Sequence, residues 1–390
     1  MERKSWFEMK SSDKSIIPFN PVHQSDETLQ AFISGLAGLT QLQGDGPFSR
    51  KCEGLLSNIF EKQVVLLDSC TSALELGTKL MNFEAGSEVI MPSFNFTSSA
   101  NACIINDLVP VFSEIELDSL NLDPEKILER ITPKTRAIMV IHYAGISADL
   151  TSIQNICDEN DLILLEDNAH GLSGSYKNQM LGTFGAYSAM SFHATKNYSS
   201  GEGGALLLQD PEKVKSAEIY REKGTNRAQF FRGEVDKYSW QGSGSSMVMS
   251  ELSALYLYPQ LCNFSEIHER RLGIWLRYHS ALISWAEKNG VSIARHGDHI
   301  QPAGHIFWVL FSEEQQAIKF RKHLLDNGIS STGHYQALDS SKFALTQGYS
   351  QAMLEISQRV SNGIVRLPIY FSLTDLQVDR IIEVTISFKN

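Results

Sequence analysis

The sequence predicts an α/β protein: a mostly parallel sheet covered on both faces by helices, followed by a smaller α+β domain. Three observations carry that prediction. Short Val/Ile/Leu runs recur from about residue 64 and are separated by amphipathic, helix-length stretches. The runs are continuously apolar rather than alternating, the pattern of strands buried on both faces. After GALLLQ the texture changes to charged, aromatic and then long helical sequence, which marks a second unit.

The elements follow in order. VVLLDS (64–69) precedes the helical TSALELGTKLMNF, and EVIMPSF (88–94) precedes TSSANACIIN. LVPVFSEIE, RAIMVIHYAG (136–145) and LILLEDNAH (162–170) continue the pattern, and YSAMSFHATK and GALLLQ complete it. A helical stretch is expected from about Ser250 to Glu287, bent near Pro259. HIFWVLF (305–311), a helix near 313–327 and a last helix after Thr374 form the small domain. The resulting division is a loosely held extension over residues 1–15, a large domain over 16–255 and a small domain over 256–390.

Composition narrows the function. The chain has 390 residues, 42% of them hydrophobic, enough for a sizeable core. A net charge of −11 argues against nucleic-acid binding, which needs a basic face. The five cysteines are scattered and never paired as CxxC, so neither a zinc site nor a disulfide framework is expected, and no metal. No run approaches the ~18–20 apolar residues of a membrane span. The N-terminus lacks the apolar core of a signal peptide, and a cytoplasmic protein is expected.

In parallel sheets, ligands bind outside the carboxyl ends of the strands. That rule gathers residues 68–72, 93–96, 142–145 and 167–170 on one rim. Asp167 ends an apolar strand, where a carboxylate without a cation is costly. SCTS (69–72) stands at a strand-to-helix junction, where amides and hydroxyls bind phosphate. Phe94 and Phe96 can stack on a flat ring. Lys196 follows another strand, 29 residues after Asp167. Singly, each has an ordinary reading: an N-cap, two core aromatics, a structural ion pair, a solvated lysine. Jointly, an acid for a ring nitrogen, an anion cradle, an aromatic lid and an amine describe a site for pyridoxal phosphate.

With those motifs in place, the chain resembles the sugar aminotransferases of the DegT/DnrJ/EryC1/StrS family, over roughly residues 16–390. The matching segments include IPFN (17–20), GDGPFSRKCE (44–53), SCTSALE (69–75), HYAG (142–145), EDNAHG (166–171), SFHATKN (191–197) and GEGGA. Residues 221–240 with the following GSSMVMSEL are most similar to the dTDP-4-amino-4,6-dideoxygalactose transaminase branch. The resemblance implies the aspartate aminotransferase-like fold type I, with a seven-stranded sheet, and a homodimer with shared sites.

It also implies roles. Lys196 binds pyridoxal phosphate as an imine and moves the proton between the amino carbon and the cofactor carbon. Asp167 keeps the pyridine nitrogen protonated, His170 contacts the phenolic oxygen, and Phe96 stacks on the ring. Thr71, Ser72 and Ser191 hold the phosphate. Lys223, Asn226, Arg227 and Arg232, with His334 and Tyr335, are candidates for the substrates. There are two departures from the family pattern, the second of them at both Ala337 and Asp339. Val248 stands where relatives carry a partner-subunit asparagine, and HYQALD (334–339) replaces HYxPLH. The expected reaction moves the amino group of L-glutamate to a dTDP-linked 4-keto-6-deoxy sugar, for a surface polysaccharide. The alternatives are a 3-keto sugar aminotransferase, a dehydratase of the same family, or a silent regulatory protein. The intact Lys196 and Asp167 argue against the last two.

Overall fold

The computed structural model describes residues 16–21, 25–39, 41–349 and 354–389; the expected extension over 1–15 lies outside them. Seven strands form the large sheet: β1 (Gln63–Leu67), β2 (Glu88–Pro92), β3 (Val109–Ser113), β4 (Thr135–Ile141), β5 (Ile163–Asp167), β6 (Tyr187–Ser191) and β7 (Gly204–Leu208). Their spatial order is β1-β7-β6-β5-β4-β2-β3. β7 runs antiparallel to both neighbours, and the remaining pairs are parallel. All residues of β6 and β7 are buried, which explains why β7 (GALLL) is apolar without alternation, while β6 buries Ser188 and Ser191 among apolar residues.

Local chemistry sets where strands turn into helices. Ser69 caps the helix Cys70–Leu80 by accepting the Ser72 N–H at 3.0 Å. That helix buries Ala73, Leu74 and Leu76 against the sheet. Gly204 opens β7 beside the helix start. A Cβ there would lie 2.4 Å from the Ser69 carbonyl carbon and 2.5 Å from the Cys70 nitrogen. Only glycine lets the strand approach the helix N-terminus so closely.

The second unit is a three-stranded antiparallel sheet of β8 (Ser292–Ile293), β9 (Phe307–Leu310) and β10 (Ile364–Leu367). Its apolar core, with Trp275, Phe307 and Phe320, runs on without a gap to Phe94 and Tyr143 at the large sheet's rim. The helical stretch after Ser250 is two helices, Glu251–Cys262 and Phe264–Asn289. The break falls at Asn263 rather than at Pro259. Pro259 removes one N–H, but the helix continues to Cys262 before Asn263 leaves the helical region. Among the described residues, no helix is long and apolar enough to cross a membrane.

Candidate active site

The carboxyl ends of β1, β2, β4, β5 and β6 converge on a cavity of about 480 Å³. The small unit closes it from the other side, through His305, His334, Tyr335 and Arg366. Both Asp167 and Lys196 line it.

Asp167 is the last residue of β5 and is 4% exposed. Ser99 donates its hydroxyl to Oδ2 at 2.5 Å, and the Ala169 N–H approaches Oδ1 at 3.2 Å. Burial pushes its carboxyl up, while Ser99, Ala169, Lys196 and His142 pull it down. A buried acid arranged this way is ready for a cationic partner. Lys196 sits in the loop between β6 and β7, where its N–H bonds the His193 carbonyl at 2.9 Å. Burial lowers its ammonium from 10.5 to about 8; Cys70 and Asp167 oppose that shift, and Arg366 adds to it. A neutral amine is therefore accessible near physiological pH, as imine chemistry requires.

One wall is aromatic. The Ala144 N–H points at His170 Nδ1 at 3.3 Å, so the neutral ring carries its proton on Nε2, facing Tyr335 Oη at 2.9 Å. Tyr335 lies parallel to His170, with 12° between the ring planes. Tyr143 Oη meets His334 Nδ1 at 2.7 Å, and His305 Nδ1 meets Asn197 Oδ1 at 2.8 Å. Burial holds all three imidazoles well below the ordinary histidine range, so they are neutral hydrogen-bonding groups. The turn behind them is tight: Ala144 and Gly145 have φ of 60° and 81°. A Cβ on Gly145 would lie 2.9 Å from the His170 carbonyl oxygen.

Ser69, Cys70 and Thr71 bring the N-terminus of the helix Cys70–Leu80 to the cavity, and Ser191 faces it from β6. Ser72 does not line it. Its N–H is donated to Ser69 Oγ and its hydroxyl to Asp68 at 2.6 Å. Phe96 lines the cavity with 53% of its surface exposed, an open aromatic face, whereas Phe94 is 1% exposed and belongs to the core. The IPFN segment also arrives here: Asn20 Nδ2 donates to the Ala194 carbonyl, and Phe19 lies under the Arg366 guanidinium, 4.9 Å away.

The structure does not bring Lys223, Asn226, Arg227 or Arg232 to this cavity. Lys223 and Arg227 pair with Glu222, Arg232 pairs with Glu218 and Glu234, and Asn226 Oδ1 accepts the Ser239 N–H. Val248 also lies elsewhere, packed where a side chain on Gly44 would go. Sequence reasoning missed Arg366 and Arg271. Arg366 lines the cavity from the buried strand β10 and donates Nε to the Gly333 carbonyl. Arg271 is held by three carbonyls, of Gly304, His305 and Ile369. The available signal was a cation inside an apolar run: IVRL for one, the buried stripe of a helix for the other.

The residues present fit pyridoxal phosphate: a buried acid, a lowered lysine, a helix N-terminus and an aromatic face share one cavity. Fold and site together define a fold type I pyridoxal-phosphate enzyme that handles amines. The chain belongs to the DegT/DnrJ/EryC1/StrS aminotransferase family, whose model matches residues 24–385. It is 31% identical over 331 residues to the spore coat polysaccharide biosynthesis protein SpsC of Bacillus subtilis, covering 83% of this chain and 84% of the relative. It is 26% identical over 374 residues to the dTDP-4-dehydro-2,3,6-trideoxy-D-glucose 4-aminotransferase of Saccharopolyspora spinosa, covering 93% and 92%. The PLP-form structure of Streptococcus pneumoniae Spr1654 superposes with a TM-score of 0.86 at 23% identity, covering 95% and 98% of the two chains. The protein is a pyridoxal-phosphate-dependent sugar aminotransferase.

The lowered lysine gives a pH prediction. Protein freed of cofactor is expected to capture added pyridoxal phosphate faster as pH rises, with a midpoint near 8 rather than 10.5. The direction follows because only the deprotonated amine attacks an aldehyde, and Lys196 loses its proton as pH passes its own value. Absorbance-detected capture rates between pH 6 and ~10 check it, the interval that brackets the two values.

Proposed function

We propose that the enzyme moves the amino group of L-glutamate to C4 of a nucleotide-linked, dTDP-carried 4-keto-6-deoxy sugar, giving a 4-amino-4,6-dideoxy sugar for a surface polysaccharide. The observation that carries the reading is the pairing of Lys196 and Asp167 across one cavity that also holds an arginine. Two similarities favour C4 and dTDP: residues 221–240 resemble that transaminase branch, and the Saccharopolyspora relative is named as a dTDP-4-dehydro-sugar 4-aminotransferase.

When bound, pyridoxal phosphate supplies an aldehyde for amines and a ring that takes up electrons. The chain supplies the rest. Lys196 would hold the cofactor through its side-chain amine, and that amine would take and return the proton at the amino carbon. Asp167 keeps a proton on the ring nitrogen. Amides at the start of the helix Cys70–Leu80, with Thr71 and Ser191, would hold the phosphate, and Phe96 would offer the ring an apolar face. Ser72 contributes by fixing Asp68 and the helix start. Arg366 offers a forked cation to the donor's carboxylate. The working unit is a homodimer in the cytoplasm. Phe231 and Trp240, 55% and 81% exposed on the segment carrying Lys223 to Arg232, form part of its contact face. That contact would bring those cations toward the partner's cavity.

The test is a panel of nucleotide-linked 3-keto and 4-keto sugars offered with glutamate, with products read by mass and NMR. A 4-amino product with release of 2-oxoglutarate is expected. Amination at C3 alone, or of no nucleotide sugar, would overturn the reading.

A further inference from the structure

We propose that Asp339, one of the two positions where HYQALD departs from the family pattern, is a positioning residue. With Ser93 it forms a clasp that holds Tyr335 on His170. Ser93 follows β2, two residues before Asn95 and three before Phe96, and is 0% exposed; Asp339 is 1% exposed. The Ser93 hydroxyl donates to Asp339 Oδ1 and receives the Asp339 N–H at 3.1 Å. The Ser93 carbonyl takes the Leu338 N–H at 2.9 Å, and Asp339 Oδ2 faces the Leu354 N–H at 3.4 Å. Three contacts to Ser93 thus tie the segment after Tyr335 to the large sheet's rim, and the fourth ties it to the start of the helix Glu355–Gly363. A carboxylate this buried is tolerable only because these donors surround it.

The tie has a geometric consequence. Tyr335 lies four residues before Asp339, between that anchor and the bridge from Thr332 to Arg366. Fixing both ends of so short a span fixes the phenol, and its Oη rests 2.9 Å from His170 Nε2. His170 Nδ1 is already turned to the Ala144 N–H, so Tyr335 decides whether the Nε2 proton has a partner. With His170 as the contact to the cofactor's phenolic oxygen that the resemblance implies, the clasp would tune the ring from a distance; this last step rests on that assignment.

The experiment uses the full chain with 15N-labelled histidine, its His170 signal identified with His170→Gln. Asp339→Ala and Tyr335→Phe should move that signal in the same direction, and their double variant should move it no further. Ser93→Ala should move it the same way by less. Asp339→Asn, which still accepts the Ser93 hydroxyl, should return most of the shift. In the cofactor-loaded protein, Asp339→Ala and Tyr335→Phe should displace the pH midpoint of the cofactor absorbance equally, and each should lower kcat/KM by about tenfold, the equivalent of one ordinary hydrogen bond. A His170 signal unmoved in both Asp339→Ala and Ser93→Ala, even with a lower melting temperature, would overturn the proposal. So would shifts that add in the double variant. A wild-type chain that takes up no pyridoxal phosphate would instead overturn the site assignment, and the histidine spectra would still decide the clasp.

Discussion

Lys196→Ala is expected to lower amino transfer by on the order of 10⁴-fold or more, because it removes both the covalent anchor and the proton-transfer base. The two roles reside in one amine, so no neighbour can substitute for it. His170, His305 and His334 line the same cavity, but burial keeps them weakly basic, and they are committed to Tyr335, Asn197 and Tyr143 respectively. Lys223→Ala is the contrast. Its side chain is 59% exposed and paired with Glu222, an arrangement worth at most about 1 kcal/mol, so transfer should weaken only a few-fold. Steady-state rates of the two variants, with borohydride trapping of the cofactor, check both statements. Comparable small losses would assign the wrong lysine.

Asp167→Asn should cost about 10³-fold in kcat, roughly 4 kcal/mol of barrier, while leaving capture of the cofactor intact. An amide occupies the same space and can still meet Ser99, but it carries no charge to hold a proton on the ring nitrogen. The loss should come without a loss of fold stability in the cofactor-free protein. Burial already penalises the Asp167 carboxylate, so a neutral side chain removes that penalty. A coloured, normally melting, nearly inactive variant is the expected outcome, read by absorbance, thermal melting and single-turnover rates with glutamate. Activity within tenfold of wild type would deny Asp167 its electrostatic role.

How much of this was readable in advance follows from where the signal lies. All seven large-sheet strands were legible, because strands buried on both faces are mostly apolar and such runs stand out. Asp167 and Lys196 were legible as polar residues just past those runs, where a parallel sheet places its ligands. The contact of Tyr335 with His170 was not legible, since the two are 165 residues apart and meet through the small unit's closure. Arg366 hid in a strand that pattern reading treats as core. Ser72 illustrates the converse: its type and place suit a phosphate, yet Asp68, four residues back, captures its hydroxyl. The helix break moved from Pro259 to Asn263 because a helix can lose one donor and continue.

The reversed direction of β7 carries a consequence for the lysine. Ser191 at the end of β6 pairs with Gly204 at the start of β7, so the loop holding Lys196 is pinned at both ends on the rim. A crossover through a helix would have carried the chain to the far edge and left the next strand's entrance open. The amine is instead confined to a small search volume, so under the proposed role its reattachment to the cofactor, once per full cycle as the aminated product departs, would be an intramolecular closure. The relevant quantity is its effective molarity, which for well-oriented groups reaches about 10⁵ M or more. No free amine in solution reaches such a concentration, so added small amines are expected to compete poorly with Lys196 for the cofactor.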